Sequence, residues 1–209
     1  MRAPTLTYPA LRRICVPLLR GLYRLETRGG ERLPARGPAI VIANHESVLD
    51  PFVLACAVGR ELRFLAKAEL WRRRPVAWAM DRLNAIRVER GRGDRDALAE
   101  AQRSLELDEA VAIFPQGAVR AVGPWHRGAA KLALATGAPI VPVRLVGTVR
   151  ALSRGRVGFP HLVVIVGEPI VVAPAPVTIA AAKRLTEDLR AAVESLAPQS
   201  VTQGRRGGL

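Results

Sequence analysis

His45 and Asp50 are the residues whose types and spacing most directly permit chemistry. They stand in the run Asn44-His45-Glu46-Ser47-Val48-Leu49-Asp50, at the mouth of the apolar segment Ala39-Ile40-Val41-Ile42-Ala43. An imidazole takes and returns protons near neutral pH. A carboxylate bonded to its second nitrogen fixes the tautomer and stabilises the imidazolium, which is what a general base requires. Spaced five positions apart across a strand-to-helix turn, the two side chains can meet. Each residue also has a plainer reading. Asp50 precedes Pro51 and suits a helix N-cap, and His45 suits a polar loop. The pair alone does not choose between these readings. No serine or cysteine stands in a nucleophile setting, and the G-x-S-x-G elbow of serine hydrolases is missing. Without a protein nucleophile, a His-Asp pair suits activation of a hydroxyl that the substrate itself carries.

The elements that must position the pair follow from hydrophobic period. Strands are predicted at 39–43, 62–66, 85–89, 110–114, 139–146 and 162–166. Helices are predicted at 9–25, 51–58, 69–82, 94–107, 127–136 and 178–196. Strands alternating with helices imply an α/β fold: a single-domain layered sandwich with a mixed, mostly parallel sheet flanked by helices. In the first helix Leu11, Ile14, Cys15, Leu18, Leu19 and Leu22 form one stripe, with Arg13, Arg20 and Arg24 projecting opposite. Pro17 predicts two short pieces there. A basic amphipathic helix is a membrane-surface signature, and the same stripe equally suits docking on the core. The expected organisation is an amphipathic N-terminal membrane-surface helix within 1–28, a layered domain over 29–197, and a flexible polar tail at 198–209.

Charge supplies the next constraint. The 209 residues carry 32 Lys+Arg against 18 Asp+Glu, a net charge of +14. All the basic residues but Lys67, Lys131 and Lys183 are arginine, whose planar fork suits bidentate phosphate binding. The excess points to an anionic partner: nucleic acid, a membrane surface or a phosphorylated substrate. Scattered surface arginine from codon bias explains the same number. Aromatics are only 4% and the arginines form no tract, so no nucleic-acid partner is expected. Cys15 and Cys56 form no metal-ligand or disulfide pattern, which fits a reducing compartment and no metal site. Arg12 and Arg13 interrupt any secretory leader, so none is expected. The most apolar stretch, 162–182, contains Glu168, Pro169, Pro174 and Pro176, so no membrane span is expected either.

With the strand ends placed, the blocks form a recognisable series. The His-x4-Asp spacing resembles the glycerolipid acyltransferase family typified by 1-acyl-glycerol-3-phosphate acyltransferases. Ala85-Ile86-Arg87-Val88-Glu89-Arg90-Gly91 resembles its second block and Ile113-Phe114-Pro115-Gln116-Gly117 its third. Pro139-Ile140-Val141-Pro142-Val143 is similar to its fourth. His126-Arg127-Gly128-Ala129-Ala130 resembles the family's basic-Gly-small helix start. Lys67-Ala68-Glu69-Leu70 and Gly167-Glu168-Pro169-Ile170 match minor signatures. The resemblance spans about residues 33–170.

The resemblance implies that 29–197 is an acyltransferase domain in which His45 deprotonates the acceptor hydroxyl and Asp50 orients His45. It implies that Arg90, Gln116, Gly117, Arg120 and Lys67 hold the acceptor's phosphate or headgroup, and that Pro142 shapes the acyl side. The donor would be acyl-CoA or acyl carrier protein, with no metal or redox cofactor. The acceptor would be a lysophospholipid, 1-acyl-glycerol-3-phosphate first, on the way to phosphatidic acid. Another polyol or lysolipid acceptor, or a non-catalytic lipid-binding relative, is the alternative. The enzyme would sit on the cytoplasmic face of an anionic membrane as a peripheral protein. Arginines 72–74 between Trp71 and Trp78 suit that interface, or the tryptophans pack inward. Departures from the family pattern fall in the acceptor blocks. Gln116 replaces Glu, Ala118 replaces Thr, and Val119 takes the usual Arg place with Arg120 one position later. Asn84 stands for Gly and Arg87 for an apolar or aromatic residue.

Overall fold

A computed structural model describes residues 7–89, 93–153 and 156–196. Arg90 and the tail at 198–209 lie outside the described residues. In chain order the elements are α1 (Thr7–Tyr23), β1 (Glu26–Arg28), β2 (Ala39–Ala43), α2 (Asp50–Ala57), β3 (Leu62–Lys67), α3 (Arg74–Arg82), β4 (Ile86–Val88) and α4 (Gly93–Glu106). There follow β5 (Ala110–Ile113), α5 (Gly128–Thr136), β6 (Ile140–Val146), α6 (Thr148–Ala151), β7 (Leu152–Ser153), β8 (Arg156–Val157), β9 (Val163–Val166) and α7 (Ile179–Ser195).

All five residues of β2 are buried, which explains their unbroken apolar run: this strand is covered on both faces. It lies at the centre of a seven-stranded sheet ordered β1-β9-β6-β2-β5-β3-β4. Strands β2 to β6 run parallel, β9 pairs antiparallel with β6, and β1 pairs parallel with β9. The sheet is therefore mixed and mostly parallel, and the expected class holds. Because successive residues point to opposite faces, the strand core divides in two. Ala39, Val41 and Ala43 pack with Tyr8 of α1, Val53 and Leu54 of α2 and Met80 of α3. Ile40 and Ile42 pack with Ala101 of α4, Leu132 of α5 and Leu189 of α7.

Three helices differ in detail from the expectations. The predicted helix at 69–82 is a 3-10 turn (Ala68–Arg72) followed by α3, because Pro75 lacks the N–H of a helix interior and fits the first turn. α1 continues through Pro17 as one helix. Pro17 lies on the exposed side, where the Arg13 carbonyl that it leaves without an amide partner faces water. The expected apolar stripe of α1 splits. Cys15 and Leu19 turn inward, while Ile14, Leu18 and Leu22 stay exposed at 69%, 53% and 46%. α2 begins at Asp50 itself, and the carboxylate does not cap it.

Two arginines prove structural. Buried Arg63 of β3 bonds Ser104 Oγ and reaches Glu100 at 2.7 Å and Glu109 at 3.4 Å. Arg144 of β6 donates to the Glu194 carbonyl at 3.0 Å, a cation on the carbonyl end of α7. The tryptophans divide between the two readings. Trp71 packs against the core and carries Arg87 over its ring at 4.6 Å, whereas Trp78 is 53% exposed beneath Arg82 at 4.4 Å.

Candidate active site

The carboxyl end of β2 lies at a switch point of the sheet. From β2 the chain moves outward to β3 and β4 on one side, while β6 lies on the other, and ligands of open α/β sheets bind at such a switch point. Asn44 prolongs the strand there by imitating backbone. Its Oδ1 accepts the Leu145 N–H at 2.7 Å and its Nδ2 donates to the Leu145 carbonyl at 3.0 Å. The next residue, His45, is thus held at the lip of the sheet.

Asp50 has 0% exposure, and one of its oxygens, Oδ2, gathers three partners. It lies 2.9 Å from His45 Nδ1 and accepts the backbone N–H groups of Glu46 at 2.6 Å and Ser47 at 2.8 Å. The carboxylate bonds backward to the turn rather than forward to α2, which decides against the N-cap reading. An ionised carboxylate only accepts, so the Nδ1 hydrogen points to Asp50 and Nε2 keeps a lone pair. The His45 ring stacks on Phe114, with centroids 4.4 Å apart, and the side chain is 15% exposed. The geometry is that of an oriented imidazole with one accessible basic nitrogen.

The third block packs directly on this turn. Gln116 Oε1 accepts the backbone N–H of His45, and its Nε2 donates to the Ala121 carbonyl at 3.5 Å. Arg120 takes a left-handed conformation, φ 55°, and donates its own N–H to the His45 carbonyl at 2.8 Å. Its Nε donates to the Glu46 carbonyl at 3.0 Å, and the side chain remains exposed. Gly117 has φ 71°, and a Cβ there would lie 2.6 Å from the His126 ring. The His126 N–H in turn donates to the Pro115 carbonyl at 2.8 Å.

His45, Asp50, Gln116, Gly117 and Arg120 therefore form one cluster. Lys67 ends β3 on the same sheet edge, two strands away, and is half-buried. Pro142 lies deeper, buried within β6 opposite Ile42, with its carbonyl accepting the Gly167 N–H at 2.8 Å. Asn44, Phe114 and His126, which lie in the quoted motifs but were not among the expected site residues, join the site. A polar amide directly after five buried strand residues was the available signal for Asn44. Among the described residues no group of three or more His, Cys, Asp or Glu is placed to hold a metal ion.

Residues 24–146, more than half of the chain, match the family profile described as Acyltransferase. The chain belongs to the acyltransferase family. The chain is 29% identical over 142 residues to the chloroplastic 1-acyl-sn-glycerol-3-phosphate acyltransferase of Brassica napus, covering 65% of this chain and 41% of that one. It is 32% identical over 136 residues to a probable 1-acyl-sn-glycerol-3-phosphate acyltransferase of Mycoplasma genitalium, covering 60% and 50%. It spans half or less of the length of both relatives. The crystal structure of the 1-acyl-sn-glycerophosphate acyltransferase PlsC from Thermotoga maritima shares the fold at TM-score 0.64. That match has 22% identity and covers 96% of this chain and 86% of the Thermotoga chain.

Proposed function

We propose that this acyltransferase moves a fatty acyl group from an acyl thioester to the free hydroxyl of a lysophospholipid, 1-acyl-glycerol-3-phosphate first among them. The observation that carries the reading is the His45 Nδ1–Asp50 Oδ2 contact at 2.9 Å, with the carboxylate fully buried. Nε2 of His45 takes the proton of the acceptor hydroxyl as its oxygen attacks the thioester carbonyl carbon. The tetrahedral intermediate collapses, the C–S bond breaks, and the thiolate leaves. The imidazolium returns the proton to that sulfur, so His45 ends neutral and Asp50 stays ionised throughout. The product is a second acyl ester, a step of phospholipid synthesis. Acyl-CoA and acyl carrier protein both supply the required thioester, and the chemistry needs no metal or redox cofactor.

Arg120 and Lys67, both on the catalytic edge, are suited to the acceptor phosphate through charge-assisted hydrogen bonds. The names of the relatives support the same acceptor. Gln116 and the displaced Arg120 favour an alternative acceptor, another polyol or lysolipid, because the block that would read the headgroup departs from the family pattern. Among the described residues no helix is long and apolar enough to cross a membrane. The exposed Ile14, Leu18 and Leu22, beside exposed Arg13, Arg20 and Arg24, support peripheral attachment to an anionic surface. Purified protein incubated with lysophosphatidic acid and either donor tests the reading. New diacyl product that disappears with His45→Ala supports it, whereas no transfer to any lysolipid or polyol from either donor overturns it.

A further inference from the structure

Between β6 and β9, on the catalytic edge, β7 and β8 form a short hairpin whose connecting residues 154 and 155 lie outside the described ones. Gly147, at φ 91°, turns the chain out of β6, and a Cβ there would lie 2.4 Å from the His161 carbonyl oxygen. Gly158 closes the far side, where a Cβ would lie 2.6 Å from the Arg150 carbonyl oxygen and the Gly158 N–H donates to Ala151 at 3.0 Å. Between these close approaches β7 and β8 pair antiparallel. The hairpin is thus a built feature, and it presents apolar side chains outward. Val157 is 63% exposed and Phe159 is 59% exposed.

This hairpin adjoins the end of α1. The Phe159 ring sits 5.5 Å from that of Tyr23, one residue after the exposed Leu22. The Tyr23 carbonyl also accepts the Leu162 N–H at 3.0 Å. Sheet register places both at the same level as the catalytic turn. Glu26 lies opposite Val163, Val163 opposite Val146, and Ala43, two residues before His45, opposite Val143. Arg20 and Arg24, on either side of Leu22 and Tyr23, are exposed, as is Arg150, whose backbone lies against Gly158. The acid at this end, Glu26, is held by Arg28 at 2.6 Å and lies 3.3 Å from His161.

We propose that the β7–β8 hairpin, through Val157 and Phe159, is a second membrane-contact element that seats beside Leu18 and Leu22 of α1 on an anionic bilayer. Apolar side chains on two separate elements that also carry exposed arginines match the layered chemistry of a lipid surface: hydrocarbon beneath, phosphate above. Two contacts fix the molecule's tilt as well as its distance, so the end of the sheet that carries His45 is held toward the layer that holds a lysolipid. The inference rests on the proposed acyl transfer for its purpose, but its test does not require turnover.

Binding of the full chain to vesicles of phosphatidylcholine with phosphatidylglycerol, read by co-sedimentation, is the experiment. Val157→Asp and Phe159→Ala are each expected to weaken partitioning about tenfold, with the thermal midpoint unchanged. Val157→Asp leaves the Phe159–Tyr23 contact intact and so reports even if Phe159→Ala perturbs α1. Wild-type affinity in both variants overturns the proposal. So does a variant that turns a dimer into a monomer with vesicle binding unchanged, since the face would then meet a second copy. Acyl transfer to a short-chain, monomeric lysolipid is measured in parallel. Loss of vesicle binding in the variants alongside an inactive wild type would sustain the docking surface and remove only the catalytic reading.

Discussion

The backbone N–H of Arg120 donates to the carbonyl oxygen of His45 across 2.8 Å. With the Gln116 bond to the His45 N–H, the third block holds both backbone polar groups of His45, and Arg120 Nε adds the Glu46 carbonyl at 3.0 Å. The loop expected to read the headgroup also anchors the base.

Arg120→Ala and Arg120→Gly separate these duties. Arg120 holds φ 55°, which costs alanine and not glycine. Thermal melts are expected to show Arg120→Gly more stable than Arg120→Ala by about 1 kcal/mol. Both variants should raise the KM for a phosphate-bearing acceptor if the exposed guanidinium touches it. An unchanged KM in both would confine Arg120 to holding the turn.

Gln116 bridges a donor, the His45 N–H, and an acceptor, the Ala121 carbonyl. Only an amide satisfies both, because a carboxylate has no hydrogen for Ala121. Gln116→Ala is therefore expected to lower kcat about tenfold with little change in acceptor KM, since a misplaced base slows chemistry more than binding. Steady-state kinetics with varied acceptor distinguish this from a headgroup contact, which would move KM first.

His45→Ala and Asp50→Asn should both lose activity but differ in stability. Removing the base is expected to cost about 10²–10⁴ in kcat, with the smaller fall in melting temperature, since only the Phe114 stack and one of the three Asp50 contacts are lost. Asp50→Asn keeps the shape but weakens the acceptor of three hydrogen bonds, so it should lower kcat by about 10³–10⁴ and also lower the melting temperature. Calorimetry beside initial rates checks the contrast.

Burial pushes the Cys56 thiol up to about 12, and Cys15 is also raised by burial. The thiolate is the reactive form, so little of it exists at neutral pH. Thiol labelling of the native protein is expected to leave Cys56 unmodified until denaturant is added. Rapid labelling of Cys56 without denaturant would show that α1 lifts from α2 in solution.

The strands that carry the site were legible because buried parallel strands must be apolar throughout, as Ala39–Ala43 and Ala110–Ile113 are. β1 was not, because Glu-Thr-Arg is a half-buried edge with no apolar pattern, and it exists only through pairing with β9. The hairpin that carries Val157 escaped for the same reason: its strands are two residues each. Nor does net charge show that Arg63 is buried against Ser104 and Glu100 while Arg20 faces solvent.

The sequence by itself determined that His45 and Asp50 lie within reach of each other, and the alternating order of strands and helices. Both are local: five residues of chain confine one partner to the reach of the other, and strand and helix periods are written in neighbouring residues. Tertiary structure alone decided that Asp50 bonds back to the turn instead of capping α2, and that Gln116 and Arg120 grip the His45 peptide. Those partners are some seventy residues apart, 71 in the case of Gln116, and meet only because β5 lies beside β2. It also decided which apolar residues of α1 stay outside, since α2 covers only the side that carries Cys15 and Leu19.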